Sequence, residues 1–156
     1  MIKNIFTVVA LFVMAVGAQA QKKVTEKDLQ GRWNMTAFNM GGIILDLKKG
    51  DVTFEEEIGA NLDEATKTSL KQSLMETLEG FKTSYMEFKG KEVVVHLETA
   101  DTADYTIEEE DGIQYIVMTY REDGSVDDFQ VELNAKELHL LTEDDGTVIE
   151  FVYEKK

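Results

Sequence analysis

The chain has 156 residues, of which 16 are basic and 31 acidic, with two histidines and neither cysteine nor proline. A formal charge of −15 argues against a phosphate backbone or an anionic lipid surface as partner, and no basic stripe with interleaved aromatics offsets it. Without cysteine there is no disulfide framework, thiol nucleophile or C-x-x-C redox pair, so stability has to come from a packed core.

The chain opens on a short basic start, Met1 to Asn4, followed by an apolar run from Ile5 to Val16 and the small residues Gly17-Ala18-Gln19-Ala20. That is the pattern of a cleaved secretory signal over 1–20, with Gln21 as the new amino terminus. The apolar run is too short for a membrane span, which needs roughly 20 residues. No cysteine follows to carry acyl chains, so the expectation is an exported product, periplasmic or secreted, without stable membrane insertion. Lys3 is the only charged residue in the first twenty, so the domain at 21–156 keeps 15 basic and 31 acidic residues, a charge of −16.

Arg32–Phe38 reads as a first strand. After Gly41-Gly42 the stretch Ile43–Glu57 is ambiguous between a small hairpin, Ile43–Leu47 and Asp51–Glu55 turning at Lys49-Gly50, and an irregular flap. Leu70, Leu74, Leu78 and Phe81 then repeat at helical spacing, with Met75 broadening the stripe. The expected helix is Leu62 to Glu79, with a capping box at Asn61 and Glu64 and a left-handed C-cap at Gly80.

From Phe81 onward short apolar runs alternate with turn signals. The runs are Ser84–Phe88, Glu92–Glu98, Ala103–Glu109, Ile113–Tyr120, Asp127–Leu133, Glu137–Thr142 and Val148–Tyr153. Between them lie Lys89-Gly90-Lys91, Asp111-Gly112, Asp123-Gly124, Asn134-Ala135 and Asp145-Gly146, which tolerate the positive φ of tight hairpins. With Arg32–Phe38 these make eight sequential strands. The predicted fold is all-β: an eight-stranded antiparallel up-and-down barrel with one helix inserted between its first and second strands. Eight strands enclose space for packed side chains or one small ligand.

Catalytic and metal patterns are weak. His96 and His139 have no metal-motif spacing, and His96 reads as a wall residue among Val93, Val95 and Leu97. Neither Ser84 nor Ser125 lies in a nucleophile elbow. The runs Glu55-Glu56-Glu57, Glu108 to Asp111 and Glu143-Asp144-Asp145 lack the ligand intervals of a calcium loop. No glycine-rich phosphate cradle opens the helix. The expectation is a protein that is not an enzyme and needs no metal or cofactor.

Trp33 is the sole tryptophan, two residues after Gly31, and stands at the start of the first strand. An indole there would plug one end of a barrel, with Gly31 letting the chain pass close beneath. With Gly31-Arg32-Trp33 the chain resembles the lipocalin-like domains of the calycin superfamily, whose signature is Gly-x-Trp at this place. The likeness covers roughly Leu29–Glu154, including a closing strand that ends Phe151-x-Tyr153. The family's Thr-Asp-Tyr before the seventh strand is missing near Leu133. Its late arginine, which lies against the tryptophan, is also missing, and Lys155 is the closest substitute. The inserted helix is similar to the helical lid of the fatty-acid-binding branch.

The resemblance implies non-catalytic binding or transport of a small hydrophobic or amphipathic molecule. The lining would come from Met35, Ala37, Met86, Phe88, Tyr105, Ile107, Tyr115, Val117, Phe129, Val131, Leu140 and Phe151. Leu70, Leu74, Leu78 and Phe81 would lid the entrance, and Gly31 and Trp33 would be structural. The alternative is that the same residues fill a solid core and the protein is an interaction or inhibitor-like module working through its surface.

Overall fold

A computed structural model describes residues 23–156. The expected signal peptide at 1–20 lies outside the described residues.

Ten strands form the sheet: β1 (Gly31–Met40), β2 (Ile43–Asp46), β3 (Asp51–Phe54), β4 (Tyr85–Lys89), β5 (Glu92–His96), β6 (Ala100–Glu110), β7 (Ile113–Tyr120), β8 (Val126–Asn134), β9 (Glu137–Asp144) and β10 (Thr147–Lys155). The strands from β4 to β10 pair in sequence, each antiparallel to the last. β10 then pairs with β1, and the start of β1 pairs with β4, so eight strands close an antiparallel barrel. Closure satisfies the strand edges that an open sheet would leave unpaired. The turns follow their chemistry: Asp111-Gly112 and Asp145-Gly146 place both residues at positive φ, as a two-residue hairpin of matching twist requires.

The ambiguous stretch after β1 is a hairpin. β2 and β3 pair from Ile43↔Phe54 to Asp46↔Asp51, and β2 takes the edge of β1 beyond the point where β4 leaves it. Among the described residues, three helices complete the fold: α1 (Glu26–Leu29), α2 (Glu56–Ala60) and α3 (Glu64–Phe81). α3 packs on β3 and β2. Leu45 and Val52 are buried on the hairpin, and they share a sheet face with Phe38, which looks into the barrel. The helix therefore covers the inner face of the hairpin, not the outer wall.

Two helix signals are corrected. Asp63, not Asn61, caps α3, its carboxylate accepting from the Thr66 amide at 2.7 Å. Asn61 instead ends α2, donating from its side-chain amide to the Glu57 carbonyl at 2.8 Å. Gly80 lies inside α3, which runs on to Phe81 and ends at Lys82. The capping box that does form belongs to α1, where Thr25 and Asp28 satisfy each other's backbone amides.

Among the described residues, no helix is long and apolar enough to cross a membrane.

Candidate functional site

The two ends of the barrel differ in kind. At one end the chain before β1 closes the opening. Val24 exchanges hydrogen bonds with the Gln114 side chain, at 2.7 Å and 3.0 Å. Leu29 is wholly buried, and Trp33 follows at 1% exposure with its indole N–H donating to the Leu29 carbonyl at 2.6 Å. That bond satisfies the donor which a buried indole would otherwise strand. Gln30 spans the floor, donating to the carbonyl of Gly90 and to the hydroxyl of Tyr105 and accepting from the Gly90 amide. Burial raises the Tyr105 phenol pKa, with Glu26 adding to the shift. Gly31 has φ +105°, a conformation that L side chains avoid, yet a Cβ there would come only within 3.7 Å of the Lys155 side chain. Its role is backbone freedom, not the close approach expected of it.

Above this floor apolar side chains form a buried core. Met35, Met86, Phe88, Tyr105, Val131 and Leu140, six of the expected lining residues, are buried together with Val93, Ile116, Met118, Leu138 and Tyr153. Burial pushes the Tyr153 phenol pKa well up. Phe129, Phe151 and Ile107 are partly buried and pack against that core.

Three expected lining residues, Ala37, Tyr115 and Val117, are not among those packed on the core. The pairing of β1 with β10 slips between Met35 and Ala37, so Phe38, paired with Phe151, takes the inward place. A bulge of this kind reverses the facing of every later residue. In β7 the inward set is Ile116 and Met118, with Ile116 opposite Phe129, so Tyr115 and Val117 face outward.

The other end is open only in part: the β2–β3 hairpin and α3 cover one side of it, where Leu45, Val52 and Leu78 are buried. At this end Phe81, Phe38, Phe151 and Phe129 form, in that order, a chain of rings at centroid distances of 5.5 Å, 5.1 Å and 6.0 Å, and none of the four is fully buried. Phe81, the last residue of α3, lies at this rim. Of the expected lid residues, Leu78 is wholly buried, Leu74 packs on the core at the hairpin side, and Leu70 is half-buried. Beside Phe81 an open cleft of ≈ 350 Å³ is lined by Val95, Leu97, Glu98, Thr99, Asp101 and Tyr120. Phe38, Tyr120, Val95 and Leu97 were not among the expected lining residues. The alternation of Phe129, Val131 and Leu133 would have led to Tyr120, once β8 is paired with β7.

The Tyr120 phenol is pushed up to about 12, first by burial and then by Asp127, its hydrogen-bond partner, with Asp101 and Asp123 nearby. A second cleft of ≈ 380 Å³ lies between β3 and α3, lined by Thr53, Phe54, Glu64, Lys67, Thr68 and Lys71. Its two lysines face carboxylates already, Lys67 with Glu64 and Lys71 with Asp51.

The histidines sit on the outer wall. His96 stacks on Tyr85 at 4.9 Å, with the Arg32 guanidinium over the other face of that ring, and Ser84 donates its hydroxyl to the Leu97 carbonyl. His139 pairs with Glu150 at 2.7 Å. Among the described residues, no group of three or more His, Asp or Glu side chains is arranged to hold a metal ion.

No family model, curated protein or solved structure matches the chain.

Proposed function

We propose that this protein binds a small apolar or amphipathic molecule without chemistry, at the open mouth of the barrel and not deep within it. The observation that carries this is the asymmetry of the ends. Leu29, Trp33 and Tyr105 are at most 2% exposed at the floor, while inward-facing Phe38, Phe81, Phe129 and Phe151 stay partly wet at the mouth. Water removed from such rings stabilises a complex by about 25 cal/mol per Å². A cleft of ≈ 350 Å³ falls at the small end of the range for ligand sites. The buried core of Met35, Met86, Phe88, Ile116 and Leu140 argues against carriage of a large ligand in the barrel.

The reading extends to export, supported by the apolar run Ile5–Val16 and the small residues before Gln21. It extends also to a calycin-type barrel. Support for that comes from Gly31 at positive φ, Trp33 under the closed end and Lys155 against its ring.

Fluorescence titration with the neutral probe N-phenylnaphthylamine tests the binding. The expected result is saturable enhancement that Phe81→Ala weakens while far-UV circular dichroism stays unchanged. Absence of saturable binding would overturn the proposal.

One observation favours the protein-interaction reading. Met40, Val126 and Val148, three exposed large apolar residues at 40%, 58% and 53%, all lie at strand ends round the same mouth. A partner seated there would compete with the probe.

A further inference from the structure

The open mouth carries charge in a particular place. Strand pairing sets Asp101 opposite Val95, on the face of β6 that holds buried Ala103 and Tyr105. Asp127 stands opposite Met118, on the face of β8 that holds Phe129 and Val131. Asp144 stands on the face of β9 that holds Leu138 and Leu140, opposite Thr147 at the start of β10. The inward rows of β6, β8 and β9 therefore end, at the same rim, in a carboxylate. Glu98 adds a fourth at the edge of the cleft.

Among the described residues, no ion pair neutralises Asp101, Asp127 or Asp144, because the nearby cations are taken elsewhere. Arg121, in the turn after β7, is tied to Glu92 and Asp104 at 2.6 Å each, and Lys82 is held by Glu79. Burial is the first cause of the raised Tyr120 pKa, and Asp127, Asp101 and Asp123 add to it because a phenolate would stand beside them. Carboxylates above these apolar side chains repel a carboxylate-headed or phosphate-headed ligand and attract an ammonium.

We propose that the mouth selects cationic amphiphiles: molecules with an apolar body that lies on Phe38, Phe81, Val95 and Leu97 and an ammonium group that meets Asp101 and Asp127. This rests on the mouth being the binding site, as proposed above. The ammonium replaces water around two carboxylates without leaving either charge buried alone, and the body covers the wet edges of the rings.

The test titrates the chain at low salt with three probes: neutral N-phenylnaphthylamine, cationic dansylcadaverine and an anionic dansyl fatty acid. The cation is expected to bind about tenfold more tightly than the anion, with a margin that shrinks as salt screens the field. Asp101→Asn with Asp127→Asn should weaken the cation about fivefold relative to the neutral probe, while far-UV circular dichroism reports that the doubly substituted protein is folded. If the neutral probe binds but the anion equals the cation, or the double substitution leaves the cation unaffected, the charge selection is wrong and the binding site stands. If none of the three binds, both are wrong.

Discussion

Lys155, near the end of the last strand, holds its ammonium 5.1 Å from the centre of the Trp33 ring while donating a hydrogen bond to the Asp28 carbonyl at 3.0 Å. The indole is thus fixed from two sides, its N–H by Leu29 and its face by a cation that also ties the floor to β10. Trp33→Ala should cost about 3–5 kcal/mol in urea denaturation, the range for truncating a large buried aromatic. Lys155→Ala, losing a partly solvated cation–ring contact, should cost about 0.5–1 kcal/mol. A Trp33→Ala loss under about 1 kcal/mol would contradict the plug.

The His139–Glu150 pair makes stability depend on pH. The hydrogen bond to Glu150 raises the imidazole pKa above its ordinary 6.5, against the opposing effect of burial. Because the folded-state value lies above the unfolded one, the pair's contribution is complete below about 6.5 and is lost as pH rises through the raised pKa. Chemical denaturation of the wild type and His139→Gln across that window should show the difference between them shrinking toward alkaline pH. A constant difference would mean the pair contributes no proton linkage.

Ala135 turns from β8 to β9 with φ +50°, one of three non-glycine residues at positive φ among the described residues; the other two are aspartates. Alanine has no side-chain oxygen to support that conformation, whereas asparagine tolerates it. Ala135→Asn should therefore raise stability by about 0.5–1 kcal/mol in thermal or urea unfolding. A loss would show that the turn relaxes to another geometry in solution.

The strands from β4 onward were legible because their turns announce themselves: Asp-Gly pairs mark hairpins whatever the strands contain. The facing of β7 was not legible. Ile113 to Tyr120 has apolar residues on both sides, and only pairing with β8, where Phe129 and Val131 alternate cleanly with polar residues, puts Ile116 and Met118 inside. Ala37 misled for a different reason. One extra residue in β1 exchanges its position with Phe38, and a bulge leaves no mark in an apolar run. The α3 start shows two capping signals in competition, Asn61 with Glu64 and Asp63 with Thr66. The first is lost because Asn61 is already used to finish α2. At the site, the aromatic rim could be suspected from composition, but the carboxylates that crown it become inward-facing only through the register.

Leu78 and Phe81 separate the two duties of α3. Leu78 is wholly buried on the core, so Leu78→Ala should cost about 2–5 kcal/mol and leave probe affinity unchanged in the folded fraction. Phe81 ends the helix against Phe38 and walls the cleft. Phe81→Ala should cost less stability yet lower the affinity for N-phenylnaphthylamine by about tenfold, the factor that 1.4 kcal/mol produces. Equal effects of the two substitutions on binding would mean that the helix only braces the hairpin.

The most direct test is to map, by amide chemical-shift changes in uniformly ¹⁵N-labelled protein, where N-phenylnaphthylamine binds. Binding at the open mouth predicts the largest shifts at Phe38, Phe81, Val95, Leu97 and Tyr120, with Trp33, Gln30 and Gln114 at the sealed end unmoved. Shifts centred on the sealed end or on the cleft between β3 and α3, or none at saturating probe, would contradict it.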